Sequence, residues 1–126
     1  MNLTIGCAQF GFKYGFKKNK ITKTDLKKIR ETLKKNNLRF FDTAITYGNS
    51  EKVIGNFDTK NKKIITKIIL PKKKVNLEHW YKNIISNSLN NLKVKKLYGL
   101  LFHKTSDIID NKDIFLNLIY ESKKKI

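Results

Sequence analysis

Leu38-Arg39-Phe40-Phe41-Asp42-Thr43-Ala44-Ile45-Thr46-Tyr47-Gly48-Asn49-Ser50-Glu51 is an apolar run that delivers an acid, and then a phenol, onto a turn. Residues 38–41 have the aromatic, apolar composition of a buried strand, and Gly48-Asn49-Ser50 punctuates the chain before a short amphipathic segment over 51–57. Asp42 then stands where the strand ends, with Tyr47 in the loop above it. In folds that alternate strands and helices, chemistry gathers at the strands' C-terminal ends.

Working backwards, Leu3-Thr4-Ile5 reads as a short first strand, and Gly6-Cys7-Ala8-Gln9-Phe10-Gly11 as a loop of small residues continued by Tyr14-Gly15. Thr22-Lys23-Thr24-Asp25 matches a capping box, a hydroxyl and a carboxylate spaced to satisfy free amides at a helix start. The helix runs to about Lys35 with Leu26, Ile29 and Leu33 on its apolar face. Asn36-Asn37 suits the left-handed conformation that ends a helix. Strand, helix and strand in this order imply a crossover and parallel pairing.

Working forwards, residues 64–70 form a β-branched run stopped by Pro71, the third strand. Asn76 opens a helix whose face is traced by Leu77, Trp80, Tyr81, Ile84, Ile85, Ser88, Leu89 and Leu92. That stripe reads as sheet-facing core, and His79, one position off it, as a surface histidine. Residues 97–102 give a fourth strand ending at His103, and a last helix covers 112–123. The order is an α/β pattern of four strand-helix units.

Composition sets the outer limits. The 126 residues suit one domain, 1–126, which buries roughly two-thirds of its unfolded surface. The net charge of +18 invites a nucleic-acid or membrane reading, but arginine stands only at positions 30 and 39. Geometric phosphate recognition favours arginine forks, so the lysines read as solvated faces and no specific nucleic-acid partner is expected. Cys7 is the single cysteine, which excludes an internal disulfide framework and suits a reducing cytoplasm. No apolar run approaches the ~18 residues of a membrane span, and neither a secretory leader nor a metal-ligand set is expected.

The polar groups at the strand ends can be given tasks. Carbonyl reduction needs a proton for the developing alkoxide, and a phenol beside an ammonium can supply it near neutral pH. Tyr47 fits the acid and Lys67 its tuner. Asp42 would hold the ammonium charged and oriented, and His103 would hydrogen-bond the carbonyl oxygen. Each also has an ordinary reading: turn acceptor, loop packing, one lysine among many, a strand-end residue. Their placement on successive strand ends is what argues for the joint one.

The sequence resembles the aldo-keto reductases. Residues 6–11 are similar to that family's first strand-end loop, and Phe41-Asp42-Thr43-Ala44 through Tyr47-Gly48-Asn49-Ser50-Glu51 to its FDTA–YG–SE signature. Ile65-Thr66-Lys67 and Leu101-Phe102-His103 supply two further matches, in register along nearly the whole chain. The resemblance implies a (β/α)8 TIM-type barrel that reduces small aldehydes or ketones with NADP(H), or else NAD(H). By it, Asp42, Tyr47, Lys67 and His103 would be the catalytic tetrad, with Gln9 and Asp42 near the nicotinamide ribose. A whole barrel takes about 250 residues, so about four of eight units are expected here, without most of the cofactor site. The alternative is a non-catalytic half barrel that binds a second copy, or a missing C-terminal half, through open edges.

Overall fold

The computed structural model describes residues 3–13, 21–58, 61–71 and 75–123; the expected continuation of the first loop at Tyr14-Gly15 lies outside them. In chain order the elements are β1 (Thr4–Gly6), α1 (Ala8–Gly11), α2 (Lys23–Lys35), β2 (Phe40–Asp42) and α3 (Ser50–Gly55). There follow β3 (Lys63–Ile68), α4 (Leu77–Leu92), β4 (Gly99–Phe102), α5 (Thr105–Asp110) and α6 (Lys112–Lys123). The four strands make one parallel sheet in the order β1-β2-β3-β4. This is the expected α/β arrangement of four strand-helix units, with β1 and β4 at its edges.

Two short helices depart from the expectation. The first loop contains α1, a single turn of four residues, and α5 follows β4 directly. Neither is long enough to show an apolar period, so the sequence pattern carries no sign of them. The strand at 38–41 begins later and includes Asp42.

Local chemistry explains the long helices. Thr22 accepts from the Asp25 amide and Asp25 accepts from the Thr22 amide, the capping box the spacing announces; such a cap contributes about 1 kcal/mol. At the other end Asn37 takes φ +51°, and the Leu38 and Asn37 amides donate to Leu33 O and Lys34 O at 2.9 and 3.3 Å. That pair of bonds is a Schellman motif, and it turns the chain into β2. Helix α4 starts at Asn76, whose side chain accepts from the His79 amide, and ends with Lys93 in the same left-handed conformation.

Burial alternates along β3: Ile64, Thr66 and Ile68 are buried, while Ile65 and Lys67 are half-buried on the opposite side. The buried side faces helices. Phe41, Ile64, Leu33, Ile54, Phe57, Leu92 and Cys7 form one apolar cluster, and Leu70, Tyr81 and Leu118 a second, joined by half-buried Trp80. Each fully buried Leu, Ile or Phe contributes roughly 2–3 kcal/mol, so the helix side holds the sheet. The other side is open, with Leu101 47% exposed on the edge strand.

Candidate functional site

The ends of β2, β3 and β4 carry Asp42, Lys67 and His103, and their register explains how they meet. Asp42 pairs with Ile65, two residues before Lys67; Lys67 pairs with Leu101, two residues before His103. A step of two preserves the face of the sheet. The three side chains therefore climb across neighbouring strands on the same open side.

Tyr47 arrives from a turn. Its amide donates to Ala44 O, and the Ser50 amide donates to Tyr47 O, both at 3.0 Å. Gly48 takes φ +54°, a conformation that suits glycine. The backbone of Gly11 packs directly on the Tyr47 carbonyl, so close that a Cβ at Gly11 would stand 1.5 Å from its oxygen. This contact, between the loop after β1 and the loop after β2, sets the height of the phenol.

The Lys67 ammonium forms an ion pair with the Asp42 carboxylate, and its Nζ also lies 3.4 Å from Thr43 O. It stands 5.7 Å from the centroid of the Tyr47 ring, within cation–π range. The Tyr47 and His103 rings meet edge to face, 5.8 Å apart at 84°. All four expected tetrad residues are thus brought together, and Lys67 is the link between the acid and the phenol. The pair is open to solvent, the Lys67 and Asp42 side chains being 18% and 40% exposed. Gln9 is exposed on α1, on the loop that leaves β1.

Cys7 lies beneath this cluster. Its amide donates to Asp42 O at 2.9 Å, and burial, helped by the Asp42 charge, pushes its thiol up to about 12. A neutral thiol at that position packs as a small apolar group.

Sequence reasoning missed two features. Phe12, just after α1, lays its ring against Tyr47 at 5.6 Å and 75°, and is 39% exposed. An apolar residue in a loop has no periodicity to reveal such a role. Behind the sheet, Ser50 and Glu51 hold a buried polar network. Ser50 Oγ donates to Cys7 O at 2.8 Å and lies 2.9 Å from Thr43 Oγ1. Glu51 Oε1 accepts from Thr66 Oγ1, at 2.9 Å, and from Ser88 Oγ. Ser50 and Glu51 are quoted in the signature, but their spacing alone gives no hint of what they hold.

Among the described residues no group of three or more His, Cys, Asp or Glu could hold a metal ion, and no helix is long and apolar enough to cross a membrane.

The family model for the aldo/keto reductase family matches residues 2–118. Two solved structures from Pseudomonas aeruginosa, both assigned to the aldo-keto reductases, share the fold. One gives a TM-score of 0.69 at 20% identity and covers 96% of this chain and 51% of its own. The other gives 0.69 at 20%, covering 97% and 50%. The chain therefore spans about half the length of these structures. No curated protein matches it.

Proposed function

Because the chain belongs to the aldo/keto reductase family, we propose that it supplies the proton-donating half of an NADP(H)-dependent reductase that converts aldehydes or ketones to alcohols. The observation that carries this reading is the contact chain Asp42–Lys67–Tyr47–His103 at the open ends of adjacent strands. The nicotinamide cofactor, when bound, supplies the hydride, and NAD(H) is the second candidate. The half-buried carboxylate of Asp42, at the end of β2, and the amide of Gln9, on α1 after the neighbouring β1, are hydrogen-bonding groups suited to its ribose hydroxyls.

In this reading the carbonyl oxygen lies between Tyr47 and His103. His103 orients it, and Tyr47 gives its hydroxyl proton to the alkoxide as negative charge builds there. Lys67, held by Asp42, is the cation that eases that loss by stabilising the phenolate left behind. Asp42 keeps the ammonium over the ring instead of in solvent. Phe12 walls the phenol from one side. The half-length match supports a further part of the proposal: these four units act only when joined to a complementing half, and alone they are inactive. A cytoplasmic setting goes with the buried thiol of Cys7.

The test uses the reductase completed by its second half. Tyr47→Phe should lower carbonyl reduction by about a thousandfold or more while NADPH still binds with its usual fluorescence change. Turnover near that of the unaltered enzyme would sink the assignment of Tyr47.

A second reading, a non-catalytic half barrel that associates through its sheet edges, is favoured by one observation: β1 and β4 have no further strand among the described residues, and Leu101 on β4 is 47% exposed. NADPH titration of the completed protein separates the two, since an interaction module should show no saturable binding.

A further inference from the structure

Glu51 is 5% exposed, and its Oε1 accepts hydrogen bonds from two hydroxyls, Thr66 Oγ1 and Ser88 Oγ. Removing a carboxylate from water costs several kcal/mol, and two hydroxyl donors offset only part of that. An apolar residue would pack this space at lower cost. The position therefore has a use beyond packing, and the neighbours of its partners show what it is.

Thr66 immediately precedes Lys67, and Thr43 immediately follows Asp42. Thr66 points to the helix side of β3, so Lys67 must point to the open side. The adjacent residue Ser50 reaches Thr43 and the Cys7 carbonyl, and the Cys7 amide in turn holds Asp42 O. Two consecutive residues at the start of α3 thus grip the strand ends beside both members of the ion pair. The same helix start receives the Tyr47 loop through the bond from the Ser50 amide to Tyr47 O. Ser88 extends the grip to α4, which backs the sheet.

We infer that Glu51 is a positioning residue: by clamping Thr66 against Ser88 from behind the sheet, it fixes the end of β3 so that Lys67 stays between Asp42 and the Tyr47 ring. This rests on reading Lys67 as part of the reactive cluster, but its test does not depend on turnover.

The Asp42 carboxylate engages the Lys67 ammonium, so acylation of Lys67 reports its placement. The folded chain is treated briefly with an N-hydroxysuccinimide ester of acetate. Peptide mass spectrometry then compares Lys67 with Lys63, on the same strand, and with exposed Lys28. Glu51→Ala should raise Lys67 acylation relative to Lys63 by about tenfold, the scale set by loss of hydrogen bonds to a charged group. Glu51→Gln, whose amide oxygen can accept from both hydroxyls, should raise it about twofold at most. Three results overturn the inference: an unchanged Lys67 in Glu51→Ala, an equal rise in both variants, or a rise at Lys63 equal to that at Lys67, which marks general loosening. Should Glu51→Ala fail to fold, Ser88→Ala and Thr66→Val decide, because each deletes one donor and should give an intermediate rise; no rise in either overturns it. If the completed wild-type enzyme reduces no carbonyl, the reductase reading falls while these ratios still settle Glu51.

Discussion

Replacing Gly11 by alanine should damage the site without touching any of its side chains. A Cβ at Gly11 would stand 1.5 Å from Tyr47 O, 2.5 Å from its carbonyl carbon and 3.0 Å from the Ser50 nitrogen. All three are backbone atoms, so no rotamer change relieves the clash. The loops must part by about 2 Å before ordinary carbon contacts are restored. The approach is as close from the Gly48 side, where a Cβ would stand 2.9 Å from Gly11 O. Overpacking of this kind costs about 2.5 kcal/mol, equivalent to a drop of about 10 °C in melting temperature for a chain of this size. On the proposed reading, displacing Tyr47 by more than 1 Å should also reduce carbonyl turnover by about a hundredfold. The control is Gly6→Ala, at a position where a Cβ meets nothing within 4 Å; its melting temperature should stay within about 2 °C of wild type. The first assay is thermal unfolding, and the second is the set of NMR contacts joining Tyr47 to Phe12 and His103. A Gly11→Ala chain that melts with wild type and keeps those contacts would refute the claim that this backbone approach sets the phenol.

Cys7 should resist alkylation by iodoacetamide at pH 8 in the folded chain and react at once in denaturant, because burial and the Asp42 charge push its thiol up to about 12; comparable rates in both states would contradict its placement. The Lys62 ammonium is shifted below the ordinary lysine value, first by burial and then by Lys93. Its folded pKa is thus below its unfolded one, the unfolded chain binds more protons between the two, and this group's contribution to stability should rise with pH through that window. NMR titration of methylated lysines should show Lys62 losing its proton below the ordinary lysine range, and a Lys62 titrating at or above that range would count against the burial.

How much of this the sequence discloses depends on the length scale of each feature. Helices α2 and α4 are legible because their caps and apolar faces lie within a few turns of chain: Thr22 and Asp25, Asn76, and the stripe from Leu77 to Leu92. The strand ends are legible as positions, since apolar and aromatic runs lead to Asp42 and His103 and Lys67 falls in the last part of the run that Pro71 stops. Their meeting is not, because it depends on register between strands, which only pairing fixes. The FDTA–YG–SE resemblance supplied the grouping, and the two-residue step from strand to strand supplies its cause. Short α1 and α5 left no periodic trace. The approach of Gly11 to Tyr47 joins residues 36 positions apart, and glycine spacing alone does not say which backbone comes near.

The lysines show the same limit from another side. By composition they are one class, a surplus giving +18. Where the structure describes their exposure, those on α2 are exposed, as are Lys82, Lys93 and Lys112, and only Lys62, Lys63 and Lys67 are half-buried. All three stand on β3 or immediately before it, and each has a distinct environment. Lys62 donates to the carbonyls of Ile54, Gly55 and Phe57 at the end of α3, where the helix dipole favours a cation. Lys63 stands 4.9 and 5.1 Å from the Phe40 and Tyr98 ring centroids. Of these three, it is Lys67 that forms an ion pair with a carboxylate. A lysine on a solvated helix keeps its hydration, whereas one carried on a strand flanked on both sides must find another partner for its charge. That constraint gives Lys67 its role: β2 brings Asp42 beside it, and the same charge that is diffuse over the rest of the surface becomes a fixed cation next to a phenol.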